Sequence, residues 1–275
     1  MEKMNKLAVI GYPISHSFSP LMHNYISKQM NAPYIYEAIE VAPENLKDAV
    51  GKLKSENYCG FNVTAPHKIE IMKYLDEISE EAKRYNAVNT VINRDGRLVG
   101  YNTDAEGFYM SLKYRGVDVD GADVLILGAG GAARPVALNL AEKNIASLAL
   151  VNRTKEKAEY IRDYVLECSG YAIDTEILKD RYDIIINCTS LGMGDNKDKT
   201  PLCDLSLVDE KTTVCDMIYN PAKTVLLADC EKKGAKIING LGMLIFQGIL
   251  AYRIFTGINV PDSIADGIEK EVLGV

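Results

Sequence analysis

The sequence lacks several features that would place it in other classes of protein. No run of about 18 apolar residues occurs, so no membrane-spanning helix is predicted. Lys and Arg (31) are outnumbered by Asp and Glu (38), which gives a net charge of −7 and no basic surplus for nucleic-acid binding. The three histidines, His16, His23 and His67, have no metal-ligand spacing, so the sequence predicts no metal site.

Cysteine is present, but not in a pattern that indicates a disulfide framework or a metal site. The six cysteines (59, 168, 188, 203, 215 and 230) form no C-x-x-C pair, and several lie in apolar runs. We therefore expect buried, reduced thiols. The apolar run near the N-terminus is too short for a signal peptide, so the expected location is cytoplasmic.

What is present is the composition of a globular protein. The chain has 275 residues, of which 47% are hydrophobic and 25% charged. At roughly 100–200 residues per domain, one large or two modest domains are expected. A length of this order can bury a sizeable core.

Strand-like and helix-like segments alternate along the chain. In the first part, strands are predicted over 6–11, 34–41, 59–64, 87–93 and 97–102, and helices from Pro20 and over 43–55, 66–75, 78–85 and 105–115. Arg94-Asp95-Gly96 predicts a hairpin between the last two strands. Further strands are predicted over 124–127, 147–151, 183–188, 212–216 and 235–239, followed by helices from Leu241. This alternation predicts two α/β domains with mostly parallel sheets, joined by helix 105–115.

A glycine-rich turn follows the strand 124–127. The sequence Gly128-Ala129-Gly130-Gly131-Ala132-Ala133 fits the pattern G-x-G-x-x-[G/A] between a buried strand and a helix. Gly128 permits a tight turn, and Gly130 lets backbone N–H groups approach a pyrophosphate at the N-terminus of the helix. The second domain is therefore predicted to be a Rossmann-like dinucleotide-binding domain.

The end of the next strand indicates which dinucleotide is bound. NAD-binding folds place an acidic residue about 20 residues beyond the glycines, where it contacts the ribose 2′-hydroxyl. This chain has Asn152-Arg153-Thr154-Lys155 at that position. A guanidinium can bind a 2′-phosphate through two hydrogen bonds. The sequence therefore predicts NADP as the cofactor.

Small polar residues mark the strand ends of the first domain. Ser17 and Ser19 lie two residues apart at the start of a helix, where Ser19 suits the N-cap and both hydroxyls could instead hold a small anion. Lys68 is predicted in the first turn of helix 66–75, where the helix dipole disfavours a cation, so an anionic neighbour is expected. Asn89 and Asp104 are predicted at the ends of short strands, where ligands of open α/β sheets bind.

Nine segments together resemble the shikimate dehydrogenase family, in the order in which that family has them. They are Gly11–Pro20, Asn62–Lys68, Ala87–Thr90, Asn102–Asp104, Gly128–Ala133, Asn152–Thr154, Asn187–Met193, Asp216–Pro221 and Gly240–Gln247. The resemblance implies a substrate domain of residues 1–104, completed by the C-terminal helices 241–275, and an NADP-binding domain of residues 105–240. A cleft between the two domains is expected, and the oligomeric state is expected to be a monomer or a homodimer.

The resemblance also implies roles for individual residues. Lys68 and Asp104 match the catalytic pair, and Ser17 and Ser19 match the residues that hold the substrate carboxylate. Residues implied around the substrate ring are Asn62, Thr64, Lys68, Asn89, Asp104, Tyr219 and Gln247. Residues implied at the cofactor are Gly128, Ala129, Gly130, Gly131, Ala132, Asn152, Arg153, Thr154, Lys155, Thr189, Met217, Gly240 and Glu80.

The implied reaction is the reversible NADPH-dependent reduction of 3-dehydroshikimate to shikimate, a step of aromatic amino acid biosynthesis. A quinate/shikimate or aminoshikimate dehydrogenase on the same fold is the nearest alternative, and a non-catalytic NADP-responsive binding protein is a more remote one. The proton can be handled by Lys68 alone, by the pair of Lys68 and Asp104, or through a water relay.

Overall fold

The computed structural model describes residues 4–202 and 204–274. The chain divides into two compact units, one of Met1–Gly107 with Ile245–Val275 and one of Phe108–Leu244. Each unit is built around its own β-sheet. The division falls inside two helices, Asp104–Tyr114 and Leu241–Thr256, so each of these helices contributes residues to both units.

The first unit holds a six-stranded mixed sheet. Its strands are β1 (Asn5–Gly11), β2 (Tyr34–Glu40), β3 (Gly60–Val63), β4 (Glu77–Ile78), β5 (Thr90–Arg94) and β6 (Arg97–Tyr101), in the order β2-β1-β3-β5-β6-β4. Strand β5 is antiparallel to both of its neighbours, and the other pairs are parallel. The helices that precede or follow these strands are α1 (Ser19–Gln29), α2 (Leu46–Ser55), α3 (Glu80–Tyr85) and α4 (Asp104–Tyr114).

The second unit holds a five-stranded parallel sheet. Its strands are β7 (Asp123–Leu127), β8 (Ser147–Val151), β9 (Ile184–Asn187), β10 (Thr213–Asp216) and β11 (Lys236–Ile238), in the order β11-β10-β9-β7-β8. The connecting helices are α5 (Ala133–Ala141), α6 (Lys155–Ser169) and α7 (Val225–Lys232). The chain ends with α8 (Leu241–Thr256), α9 (Ile264–Gly267) and a π-helical segment, Ile268–Leu273. The predicted fold class, two α/β units with mostly parallel strands and a Rossmann-like second unit, is confirmed, and the first sheet is mixed.

The sequence patterns explain why these segments pair as they do. Strand β9 is buried along its whole length, as expected for a central strand covered on both faces, and its run of three isoleucines satisfies that burial. The hairpin between β5 and β6 turns at Asp95 and Gly96, which have φ angles of 52° and 86°. Positive φ at two successive residues is what a tight hairpin turn requires, and Asp-Gly adopts it readily.

Two local predictions near the first sheet are wrong. The N-cap of α1 is Phe18, and Ser19 is the first helical residue, with its N–H donating to Oγ of Ser17 at 3.3 Å. No α-helix forms over 66–75, since residues 65–69 form a turn and only Glu70–Tyr74 is helical, as a 3-10 helix. The carbonyl of Lys68 accepts from the N–H of Val88 at 2.8 Å, which withholds it from an α-helix.

The helix predicted over 78–85 begins two residues later than expected. Glu77 and Ile78 instead form β4, paired in parallel with Val99 and Gly100 of β6. The side chain of Ser79 then caps α3 by accepting from the N–H of Ala82 at 3.2 Å. Edge pairing of this kind depends on a tertiary partner and has no strong local signal.

The cysteine prediction holds in part. Within the described ranges, Cys188, Cys215 and Cys230 are buried free thiols, and burial raises the pKa of Cys188 to about 12 and that of Cys230 to about 11. Cys59 and Cys168 are also free but partly exposed, so the expectation of burial is wrong for them. Cys203 lies outside the described residues.

Residues 4–202 and 204–274 contain no candidate for a membrane-spanning helix or for a metal site. No helix in these ranges has the length and apolar character needed to cross a bilayer. No group of three or more His, Cys, Asp or Glu side chains in the same ranges is placed to hold a metal ion.

His23 is a fully buried histidine at the centre of the first unit. Its ring stacks on Tyr36 with the centroids 4.1 Å apart and the planes 4° from parallel, and Tyr252 and Phe255 lie beyond it. Neither ring nitrogen has a hydrogen-bond partner in the described part of the chain. Burial therefore lowers the pKa of His23 from 6.5 to about 3.

This burial predicts a dependence of stability on pH. Because the folded state keeps His23 neutral, its contribution is fully present above pH 6.5 and is lost as the pH falls from 6.5 towards 3. We expect His23→Phe to reduce the loss of unfolding free energy between about pH 7 and pH 5 by roughly 2 kcal/mol, measured by urea unfolding. The exposed His16 supplies the control, His16→Ala, which should keep the original dependence. An unchanged dependence in His23→Phe would show that His23 does not titrate with unfolding.

Candidate active site

Lys68 and Asp104, which are 36 residues apart in the sequence, form an ion pair. The Lys68 ammonium donates to Oδ2 of Asp104 at 2.6 Å, and the two side chains keep 34% and 18% of their surface exposed. Asp104 is the first residue of α4 rather than the predicted end of a strand, and the helix dipole favours a carboxylate there. An accessible ammonium beside a fixed carboxylate can protonate a ligand oxygen or stabilise charge on it.

The Asn89 amide determines how the Asp104 carboxylate is oriented. Its Nδ2 donates to Oδ1 of Asp104 and to Oγ1 of Thr103, both at 2.9 Å. Its Oδ1 accepts from the backbone N–H of Thr103 at 2.9 Å and from the Thr90 hydroxyl at 2.8 Å. Asn89 is 2% exposed and both of its amide hydrogens are already bonded, so in this conformation it supports Asp104.

Asn62, on β3, continues the same hydrogen-bond network. Its Nδ2 donates to the backbone oxygen of Asn89 at 3.0 Å and to Oγ1 of Thr90 at 3.1 Å. Its Oδ1 accepts from the phenol of Tyr36 at 2.7 Å. Since both amide hydrogens are bonded, Asn62 offers a ligand the remaining lone pair of its oxygen, and so it can accept from a hydroxyl.

Ser17 and Ser19 lie at the start of α1, and Thr64 directly follows β3. Each of the three residues is partly exposed. Oγ of Ser17 accepts from the backbone N–H of Ser19, which leaves the Ser17 hydroxyl proton for another partner. Burial raises the pKa of Tyr36 well above its usual value, and the Ser19 side chain opposes that rise.

Gln247 is held beside the start of α4. Its backbone oxygen accepts from Oγ1 of Thr103 at 3.0 Å. Gly107 packs directly on its backbone, since a Cβ at position 107 would lie 2.6 Å from the Gln247 nitrogen. The first unit thus gathers Gln247 with the network that carries Asp104.

Two residues assigned to these sites by resemblance lie outside this hydrogen-bond network. Glu80 is exposed in the first turn of α3, and its carboxylate pairs with the ammonium of Lys83 at 2.5 Å. Tyr219 belongs to the second unit, where it is 39% exposed on the wall of a cavity.

That cavity, of about 690 Å³, lies at the carboxyl ends of four parallel strands, β7 to β10. Parallel α/β sheets bind ligands at this edge. Its lining consists of Gly128, Ala129, Gly130, Gly131, Ala132, Asn152, Arg153, Thr154, Lys157, Cys188, Thr189, Ser190, Met193, Met217, Ile218, Tyr219 and Asn220.

The glycine-rich turn has the geometry that the sequence predicts. Gly128 has a φ angle of 99°, and a Cβ there would lie 2.5 Å from Cγ2 of Thr189. A Cβ at Gly130 would lie 3.1 Å from the backbone oxygen of Cys188. The turn therefore keeps the backbone open at the N-terminal end of α5, where unpaired N–H groups favour an anion.

Asn152 joins the glycine turn to the basic segment that follows β8. Its Oδ1 accepts from the backbone N–H of Ala129 at 3.1 Å, and its Nδ2 donates to the backbone oxygen of Thr154 at 2.8 Å. These two bonds use one amide to hold both loops. Asn152 therefore fixes the spacing between the glycine turn and the residues that were predicted to select the dinucleotide.

The basic residues on the cavity wall are Arg153 and Lys157. Lys155, which the sequence suggested, points elsewhere and pairs with Glu176 at 3.1 Å. The reason is helical geometry, because Lys155 and Lys157 lie two residues apart at the start of α6 and so point in directions roughly 200° apart around the helix axis. The cavity wall thus carries two cations and the Thr154 hydroxyl.

A buried carboxylate organises the opposite wall. Oδ1 of Asp216 accepts from Nδ2 of Asn187 and from the N–H of Ile218, both at 3.0 Å, and Oδ2 accepts from Thr224 at 2.7 Å. Oδ1 of Asn187 in turn accepts from the N–H and the hydroxyl of Thr189. Burial raises the pKa of Asp216, and the three hydrogen bonds oppose that rise. This network fixes the loops that carry Thr189 and Met217.

Position 240, beside the same wall, has no room for a side chain. A Cβ at position 240 would lie 2.2 Å from the backbone oxygen of Met217, and the N–H of Gly240 donates to the oxygen of Ile218 at 3.0 Å. A side chain at position 240 would therefore displace the segment that carries Met217.

Sequence reasoning missed four residues of these networks: Tyr36, Thr90, Lys157 and Asp216. The position of Lys157, four residues after Arg153, was a usable signal. Asp216 could also have been found, since it ends an apolar strand as Asn187 does on the neighbouring strand. Tyr36 carried no signal, because tyrosine is common in strands for packing reasons alone. Thr90 lies in the segment Ala87–Thr90 that carries the resemblance, but no role was assigned to it.

The geometry of the glycine turn predicts different outcomes at two positions. Gly128→Ala forces a side chain into a positive φ and into Thr189, so the melting temperature should fall by several degrees, equivalent to roughly 1–3 kcal/mol. Gly131→Ala is the matched control, since a Cβ there meets no atom within 4 Å. Equal melting temperatures for the two variants would contradict the described conformation of Gly128.

Comparison with known proteins finds similarity along nearly the whole chain. Residues 9–91 match the shikimate dehydrogenase substrate binding domain, residues 111–192 match the shikimate/quinate 5-dehydrogenase family, and residues 240–273 match the shikimate 5′-dehydrogenase C-terminal domain. The shikimate dehydrogenase (NADP(+)) of Methanocaldococcus jannaschii is 44% identical to the chain, over 98% of the chain and 99% of that protein.

Solved structures of shikimate dehydrogenases are also similar to nearly the whole chain. Shikimate 5-dehydrogenase from Listeria monocytogenes, in complex with shikimate and NAD, superposes with a TM-score of 0.90 at 33% identity, covering 98% of this chain and 97% of that one. The enzyme from Thermus thermophilus, in complex with NADP(H) and shikimate, has a TM-score of 0.87 at 34% identity, covering 98% and 100%. The chain belongs to the shikimate dehydrogenase family.

Proposed function

We propose that this protein catalyses the reversible NADPH-dependent reduction of 3-dehydroshikimate to shikimate, in the biosynthesis of aromatic amino acids. The observation that carries the proposal is the accessible ion pair of Lys68 and Asp104, 2.6 Å apart. It lies within a network of amides and hydroxyls that suits a small polyhydroxylated acid. In this proposal the first unit binds the substrate and the second unit binds the cofactor.

The carboxylate of the substrate is assigned to the hydroxyls of Ser17 and Ser19. Both are partly exposed, and the Ser17 hydroxyl proton is not used by its bond to the Ser19 N–H. Two hydroxyls can hold a carboxylate through two donated hydrogen bonds. A local device of this kind is needed because the net charge of −7 gives no general attraction for an anion.

Lys68 handles the proton in this proposal. As the substrate carbonyl is reduced, negative charge grows on its oxygen, and the Lys68 ammonium can stabilise that charge and then donate a proton. Asp104 holds the ammonium in place, and Asn89 holds Asp104. In the reverse direction Lys68 accepts the proton of the hydroxyl. NADPH, when bound, supplies the hydride.

The cavity of the second unit fits a dinucleotide with a 2′-phosphate. Its volume of about 690 Å³ and its glycine turn leave room for a pyrophosphate against backbone N–H groups. Arg153, Thr154 and Lys157 lie at the end of β8, where the ribose 2′ position is read in this fold. Two cations and a hydroxyl at that point suit a phosphate better than a free hydroxyl.

A single set of assays separates this function from its alternatives. Absorbance of NADPH is followed with shikimate and with quinate, each with NADP and with NAD. We expect the highest kcat/KM for shikimate with NADP. A higher value for quinate would favour the quinate dehydrogenase alternative. Saturable NADP binding without turnover of either acid would favour the binding-protein alternative and contradict the proposal.

Cofactor choice can be tested at one residue. Arg153→Ser removes a guanidinium from the cavity wall and should raise the KM for NADP roughly tenfold or more, while the KM for NAD changes little. Lys155→Ser is the matched control, since Lys155 is a neighbouring cation paired with Glu176 and should leave both values unchanged. An equal rise in both KM values for Arg153→Ser would show that this residue does not read the 2′-phosphate.

A further inference from the structure

Tyr36 is a buried tyrosine that contacts Asn62, a residue assigned to substrate binding. It lies on β2, is 2% exposed, and donates its phenol proton to Oδ1 of Asn62 at 2.7 Å. The single phenol proton of Tyr36 is used in this bond.

This bond fixes which way the Asn62 amide faces. Nδ2 of Asn62 already donates to the backbone oxygen of Asn89 and to Oγ1 of Thr90. A flipped amide would place two oxygens, those of Asn62 and Asn89, against each other. The Tyr36 proton stabilises the other orientation, in which Asn62 keeps one acceptor lone pair for a ligand hydroxyl.

The Tyr36 ring is itself held in place by packing. The parallel ring of His23 covers it at 4.1 Å, with Tyr252 and Phe255 behind. Burial keeps His23 neutral, so the stack introduces no charge beside the phenol. The position of the phenol oxygen is therefore set by the core of the unit and does not depend on a bound ligand.

A continuous series of hydrogen bonds runs from this phenol to the ion pair. Tyr36 donates to Asn62, Asn62 donates to Thr90, and Thr90 donates to Asn89. Asn89 then donates to Asp104, which accepts from Lys68. The first four bonds run in one direction, from Tyr36 to Asp104, and Lys68 donates to Asp104 from the other end. Removal of the Tyr36 proton directly breaks only the bond to Asn62.

We propose that Tyr36 is a positioning residue of the substrate site, which orients Asn62 and so contributes to substrate affinity without touching the reacting atoms. The inference rests on the proposed function and adds a residue to it. The substrate feature that depends on Tyr36 is a hydroxyl that donates to Asn62. The cofactor cavity and the proton donor Lys68 do not depend on it directly.

The kinetic test compares two conservative variants that each remove one buried phenol hydroxyl from the first unit. Tyr36→Phe should raise the KM for shikimate about three- to tenfold, with kcat within about twofold and the KM for NADP unchanged. Tyr252→Phe is the matched control, because Tyr252 is also buried and shares its hydroxyl with Ser27 at 3.0 Å. It should leave all three constants unchanged. An unchanged KM in Tyr36→Phe, or an equal rise in both variants, would overturn the proposal.

A second measurement does not require turnover. In urea unfolding, Tyr36→Phe and Asn62→Ala should be non-additive, with the double variant losing less stability than the sum of the single variants. Additive losses would show that the phenol does not orient Asn62 and would overturn the inference by themselves. If the unmodified protein failed to oxidise shikimate while the losses were non-additive, the proposed substrate would be wrong and the orienting role of Tyr36 would stand.

Discussion

The contact between the Lys68 ammonium and the Asp104 carboxylate, at 2.6 Å, is the interaction on which the proposed chemistry of the first unit depends. It requires the turn after β3 and the start of α4 to come together, and the structure fixes both. The carbonyl of Lys68 is tied to the N–H of Val88, and Asp104 is tied by its side chain to Asn89 and by its N–H to Asn102. A cation that would be misplaced in an isolated helix turn is thus matched by a carboxylate favoured at a helix start.

The second unit depends on a different constraint, which is the close approach of backbone to backbone. Gly128 and Gly240 each sit where a Cβ would collide with a neighbouring loop. Around them, Asn152 links the glycine turn to the segment after β8, and Asp216 with Asn187 links the loops after β9 and β10. The cavity is therefore shaped by buried polar side chains at strand ends, and the residues on its wall are positioned before any ligand binds.

The sequence allowed the alternation of strands and helices, the glycine turn and most of the site residues to be predicted. Local signals were sufficient for these, since apolar periodicity and glycine spacing are properties of short segments. The errors lie where tertiary contacts decide. The carbonyl of Lys68 is withheld from a helix by Val88, and Glu77 joins a strand because β6 offers an edge. Lys157 replaced Lys155 on the cavity wall because the start of α6 sets which side chains face it.

Tyr36 shows why part of a site escapes sequence reasoning. Its position on an edge strand indicates only a packed aromatic residue, and its role follows from the partner, Asn62, that folding brings to its hydroxyl. Thr90 is similar, since its hydroxyl matters only because Asn62 and Asn89 lie on either side of it. Residues of this kind orient the side chains of a site, whereas the motif residues supply its proposed chemistry.

The account's central claim is that Lys68 and Asp104 act as one unit in proton transfer. A double-mutant cycle on kcat for shikimate oxidation, with Lys68→Met, Asp104→Asn and the double variant, tests it most directly. The account predicts that each single change lowers kcat by roughly 10²–10⁴-fold and that the double variant is little slower than the worse single one. Losses that multiply in the double variant, or a Lys68→Met protein with near-normal kcat, would contradict it.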